Sequence, residues 1–165
     1  MEGFLKIMEE LTDFEELVTA LKQNITPIGT MGGVDFTRAH LIHSACTKLG
    51  TKALIVVANE ALAKVLYDDL DYLDRGNVLL FPQTDLLFYD VEAAGRDIKK
   101  RRLNVLDSLR RQEKHVITTA EALCSVTVSF EQYEKYSLSI SVGDELDYEE
   151  FLKRLVTLGY RREEL

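Results

Sequence analysis

The sequence predicts an α/β fold: a doubly wound parallel sheet with helices on both faces, followed by the start of a small α+β domain. Three observations predict it. Short apolar, β-branched runs recur at "NITPIGT", "KALIVVA", "NVLLFP" and "HVITTA". Between them lie stretches of helical length whose apolar residues are spaced three and four apart. From Ser125 the texture changes, which sets an α/β domain over residues 1–124 and a partial second domain over 125–165. Strands alternating with helices imply βαβ crossovers, and those require a parallel sheet.

Each element has a local justification. Phe4, Met8, Leu11, Phe14, Leu17, Val18 and Leu21 share a helical face, and Thr12–Asp13 with Glu15–Glu16 resemble capping boxes, so one helix ends and a second begins there. After the "NITPIGT" strand, Val34 to Leu49 is predicted helical and stops at Gly50. The continuous apolar run from Lys52 to Ala58 suits a strand buried on both faces. "NEALAKVLYDDLDYL" is predicted as a helix, "NVLLFP" as a strand closed by Pro82, and "QTDLLFYDVEAAG" as an irregular connection. A basic helix follows, with Ile98, Leu103, Leu106 and Leu109 as its apolar stripe, and then the "HVITTA" strand. Beyond Ser125 a short helix, a strand at Leu138–Val142 and a helix from Tyr148 to Leu158 are expected.

Composition narrows the function classes. With 165 residues and 46% hydrophobic content, the chain can bury a real core. No stretch approaches the ~20 apolar residues of a membrane span, and the acidic amphipathic N-terminus is unlike a signal or transit peptide, so a cytoplasmic protein without membrane contact is expected. Cys46 and Cys124 form no C-x-x-C pair and are expected as reduced thiols. The net charge of −8 argues against a generic nucleic-acid binder. Arg96 to Lys114, however, holds eight basic and three acidic residues. That segment is either a docking stripe on an acidic body or, more simply, the solvated face of a helix.

One stretch has the outline of a phosphate-binding loop. "NITPIGTMGGVDFTRAHLI" joins an apolar run to a Gly-Gly turn and an amphipathic segment, an order that aims backbone N–H groups and a helix dipole at an anion. The working pattern is G-x-x-x-x-G-K-[ST], in which the lysine reaches the phosphates and the hydroxyl holds magnesium. Anchoring it on Gly33, after Gly32, leaves Ile28 at the first glycine, Val34 at the lysine and Asp35 at the hydroxyl. The turn survives and the phosphate chemistry is gone, so no cofactor is expected.

Other constellations are weak. His40, His43 and Cys46 recur every three residues, but steps of three carry side chains around a helix, and no second cluster adds a ligand, so no metal is expected. Asp68, Asp69, Asp71 and Asp74 read as a solvated helix face. Asp85 and Asp90 follow a strand at its carboxyl end, where doubly wound proteins place their sites, but no nucleophile accompanies them. No catalytic residue is expected.

Taken together, "VVANEALAKVLYDDLDYL", "VLLFPQTDLLFYD", "RDIKKRRLNVLDSL" and "HVITTAEALCSV" resemble, in order and spacing, the N-terminal UvrB-homology module of the bacterial transcription-repair coupling factor family (Mfd). The resemblance covers the chain from about Asn24 to its end. It implies a degenerate phosphate loop at Gly32, Gly33, Val34 and Asp35, where UvrB-like proteins keep an intact one. It implies no enzyme activity in this stretch, motor activity being left to later domains. UvrB also inserts a tyrosine-rich DNA-clamping hairpin, and Pro82 to Asp97 leaves no room for one. What remains is protein docking: to UvrA, and to other domains of the same chain, with RNA polymerase and DNA reached only through later domains. The docking domain is expected to be completed by strands after Leu165, and Arg162 in "GYRREEL" matches an arginine of the UvrB docking domain. Two rival readings are an ATPase domain with an atypical loop and a nucleic-acid binder using Arg96 to Arg111.

Overall fold

The computed structural model describes residues 2–84, 92–125, 127–161 and 163, and the side chains of all of these but 2–5, 35 and 92–96. The chain divides into two compact units, Met1–Val126 and Thr127–Leu165. The first unit runs α1 (Glu2–Glu9), α2 (Thr12–Lys22), α3 (Asp35–Leu49), β1 (Leu54–Val57), α4 (Glu60–Leu73), β2 (Val78–Leu80), α5 (Glu92–Arg111), β3 (His115–Thr119) and α6 (Ala120–Cys124).

Local chemistry fixes most of these ends. Asn59 caps α4 by accepting the Leu62 N–H at 2.9 Å. Gly50 ends α3 in the left-handed region (φ 65°), and Thr51 N–H returns to the Cys46 carbonyl at 3.0 Å, as a glycine C-cap requires. The break between α1 and α2 falls as expected, but the capping box does not form. Extended Leu11 is the N-cap without a side-chain bond, and Asp13 and Glu15 already lie in the first turn, where they complement the dipole.

The three strands form one parallel sheet in the order β1-β3-β2, with Ile55 opposite Ile117 and Leu80 opposite Ile117 on its other side. Side chains alternate across it. Ile55, Val57, Leu80 and Ile117 join a core with Ala39 of α3 and Ala63, Leu70 and Leu73 of α4. Leu79, Phe81 and Val116 join a second core with Val105 and Leu109 of α5 and Ala122 of α6. A third cluster of Met8, Phe14, Val18 and Ala45 fastens α1 and α2 to α3.

Two expectations about the strands of this unit are corrected. "NITPIGT" is not a strand: Asn24 turns left-handed (φ 55°), and Ile25 N–H closes the end of α2 on the Ala20 carbonyl at 3.0 Å. Pro27 then offers no N–H for a ladder. The run at β1 is an edge strand, not one buried on both faces, and it leaves Leu54 and Val56 exposed. A continuous apolar run does not reveal its rank in the sheet, and it is β3 that takes the centre, with Ile117, Thr118 and Thr119 all buried.

The second unit holds α7 (Phe130–Lys135) and α8 (Tyr148–Thr157). Ser129 caps the former through Gln132 N–H, and Asp147 caps the latter through Glu149 and Glu150 N–H. Arg154 donates to the Ser137 carbonyl at 3.1 Å. The strand expected at Leu138–Val142 is absent: Ser141 N–H bonds the Asp144 carboxylate in a turn. Among the described residues of this unit none is buried.

Candidate functional site

The loop before α3 keeps a glycine turn. Gly32 and Gly33 have φ of 84° and 79°, which L side chains rarely adopt. Val34 is the N-cap, extended and without a side-chain bond, and its carbonyl accepts from Thr37 N–H at 2.8 Å. The loop presents apolar groups where a phosphate loop presents an ammonium: Met31 is 99% and Val34 78% exposed. Asp35 opens α3.

Where the loop lies matters as much as what it carries. Phe36, in the first turn of α3, meets Tyr72, in the last turn of α4, edge to face with ring centroids 6.4 Å apart. Two residues after Tyr72, Asp74 contacts His115 at the first position of β3. No strand of the sheet precedes the glycine turn, so the turn does not follow the carboxyl end of one. Phosphate sites of doubly wound proteins stand outside the carboxyl ends.

A polar network joins the amino ends of the three strands. Asp74 accepts from Lys52 Nζ at 2.7 Å and from Asn77 Nδ2 at 2.7 Å, and His115 Nε2 stands 3.4 Å from the same carboxylate. His115 Nδ1 accepts the Ala53 N–H at 3.1 Å, so its proton sits on Nε2, facing Asp74. Burial pushes the Asp74 carboxyl up, but the hydrogen bonds from Asn77 and Lys52 outweigh it and hold the group below its usual range. Burial lowers the pKa of His115 and of His43, and raises that of the Cys46 thiol. His43 Nδ1 and Ser44 Oγ are buried without a hydrogen-bond partner.

Asp74 corrects the reading of the α4 carboxylates as a solvated face, because its side chain is only 18% exposed and bridges the starts of two strands. A pairing partner 22 residues upstream and another 41 downstream leave no periodic signal. His40 and Cys46 are buried on α3, and among the described residues no group of three or more His, Cys, Asp or Glu is placed to hold a metal.

The basic helix also departs from its expected stripe. Leu103 is exposed, while Val105 and Arg102 turn inward, Arg102 only 5% exposed. The Arg102 guanidinium lies 4.0 Å over the Phe81 ring and donates to the carbonyls of Pro82 at 2.9 Å and Ala122 at 3.4 Å. Arg101 pairs with Asp97 at 2.6 Å, Arg111 with Asp107 at 2.9 Å and Arg110 with Asp107 at 3.8 Å. Lys114 donates to the Gly76 carbonyl at 2.8 Å. Most of the positive charge is therefore already engaged within the fold. Asp85, Asp90 and Arg162 lie outside the described residues. No described helix is long and apolar enough to cross a membrane.

Comparison with known proteins follows the same outline. A transcription-repair-coupling factor of Staphylococcus haemolyticus is 27% identical over 115 residues, covering 68% of this chain and 10% of the relative. That of Bacillus subtilis is 21% identical over 167 residues, 100% of this chain and 14% of the relative. UvrABC system protein B of Thermotoga maritima is 26% identical over 168 residues, 91% of this chain and 25% of the relative. The chain thus spans between a tenth and a quarter of the length of these relatives. No family model and no solved structure matches it. Homologues of both names cover much of the chain at modest identity, the pattern of a UvrB-homology module of the coupling-factor type.

Proposed function

We propose that this chain is a non-catalytic docking module of a transcription-repair coupling factor, acting in the cytoplasm in transcription-coupled nucleotide excision repair. The observation that carries the proposal is the loop before α3, which keeps its Gly32-Gly33 turn but exposes Met31 and Val34 and follows no strand of the sheet. The relatives support the setting, since coupling factors and UvrABC system protein B align with the same stretch. In this reading the first domain, residues 1–124, is a doubly wound, phosphate-loop-like scaffold that needs no cofactor. Residues 125–165 begin a UvrB-like docking domain for UvrA, with Arg162 as a contact. Other domains of the full-length protein pack against the module, and RNA polymerase and DNA are met through those domains.

The test is a calorimetric titration of UvrA into this chain, and into the chain extended at Leu165 by the corresponding stretch of the Bacillus subtilis relative. Weak or no binding by the short form and clear binding by the long form are expected. In the extended form Arg162→Ala should cost at least about 1 kcal/mol, as a contact residue does. Failure of both forms to bind removes the docking role.

A further inference from the structure

Within the second unit, helix α8 carries an apolar row that the described residues leave exposed. At about 100° per residue, Tyr148, Leu152 and Val156 follow one another at i, i+4 and i+8. They are 71%, 40% and 70% exposed, whereas Phe151 and Leu155, on one side of the row, are half-buried. Glu149 and Lys153 line the other side, and neither makes an ion pair among the described residues. The charges are also ordered along the axis, with Asp147, Glu149 and Glu150 at the start and Lys153 and Arg154 toward the end.

We propose that α8 is a self-association surface, pairing antiparallel with α8 of a second copy about a two-fold axis at Leu152. Such an axis lies in the interface, reverses the helix direction and keeps each flank on its own side. Leu152 then meets its own copy, and Tyr148 meets the second copy's Val156. Glu149 comes within about two residues' rise, ~3 Å along the axis, of the second copy's Lys153, and the same pair recurs reciprocally. A parallel pairing sets the two charged flanks on opposite sides and matches neither. The antiparallel one also opposes the helix dipoles and brings acidic first turns against basic last turns. Three side chains fall well short of the ~800 Å² per partner of a standard interface, so the dimer is weak, with Kd on the order of 10⁻⁴ M. The proposal does not depend on docking to UvrA.

Sedimentation velocity of the 165-residue chain from about 10 μM to about 1 mM, a range that brackets that Kd, tests it. A monomer is expected at the low end and a dimer at the high end. Leu152→Lys sets two ammonium groups on the axis and should leave only monomer, with the circular dichroism spectrum unchanged. The charge variants are decisive, because they alter exposed positions alone. Glu149→Lys makes like charges face each other twice and should weaken association about tenfold, whereas Glu149→Lys with Lys153→Glu should restore it. A chain that stays monomeric at the highest concentration, or a double variant as weak as the single one, overturns the proposal.

Discussion

At the scale of single residues, the Asp74 network sets the pH response. His115 and His43 both have lowered pKa values in the fold, because burial disfavours their charged forms. The unfolded chain therefore binds protons that the folded one refuses. This contribution to stability is fully present above the ordinary histidine value of about 6.5 and is lost as pH falls below it. Asp74 is lowered too, so its contribution fades only below the ordinary carboxylate range. Denaturant unfolding at a series of pH values should show a first loss beginning near pH 6.5 and a second below about 4. His115→Asn keeps an acceptor for Ala53 N–H but cannot titrate, and it should flatten the first loss. An unchanged slope in that variant would falsify the assignment to His115. Asp74→Ala should cost about 1–3 kcal/mol, since it leaves Lys52 and Asn77 without their acceptor. None of this was legible in the sequence, because the three strand starts that supply Lys52, Asn77 and His115 meet only once the sheet has formed.

At the scale of elements, periodicity located the helices well. Those at 35–49, 60–73 and 148–157 lie within a residue or so of their expected bounds, because Asn59, Asp147 and Gly50 each carry a local signal at an end. Strand status was less legible. "NITPIGT" is apolar enough for a strand, but the closure of α2 takes its first residues. The face of α5 was misjudged for a different reason: Arg102 reads as a surface charge until Phe81 and two carbonyls are seen to receive it. Arg102→Ala should therefore destabilise the first unit by about 2–3 kcal/mol, through the Pro82 carbonyl left without its donor, the Ala122 carbonyl left with the Ser125 hydroxyl, and the lost contact with the ring. Arg102→Lys should rescue little, because a single ammonium cannot reproduce the planar fork. Thermal unfolding distinguishes these outcomes from the surface reading, in which both variants stay near wild type. The same engagement of basic side chains limits nucleic-acid binding. With Arg101, Arg102, Arg110, Arg111 and Lys114 engaged within the fold, a short DNA duplex should bind no tighter than ~10⁻⁶ M at physiological salt. Fluorescence anisotropy reading nanomolar affinity under those conditions would revive the nucleic-acid reading.

At the scale of the whole molecule, the question is whether the phosphate loop lost its residues or lost its place. The sequence shows only the first, with Ile28, Val34 and Asp35 standing where glycine, lysine and a hydroxyl belong. The structure adds the second. Phe36 against Tyr72 brings the start of α3 beside the end of α4, and Asp74 ties that end to the first residue of β3. A polyphosphate held there would lie against Met31 and Val34, with no strand of the sheet leading into the turn. Rebuilding the motif separates the two losses. The triple variant Ile28→Gly, Val34→Lys, Asp35→Thr restores every defining residue of the pattern on the existing Gly33 turn. If residues alone were missing, the variant should gain Mg-ATP binding at micromolar Kd, about −8 kcal/mol. Because the loop is misplaced as well, calorimetry is expected to find no binding by either the wild-type chain or the triple variant. Micromolar binding by the wild type would promote the ATPase reading outright. Binding by the triple variant alone would show that the loop is correctly placed and that substitution, rather than position, ended its use.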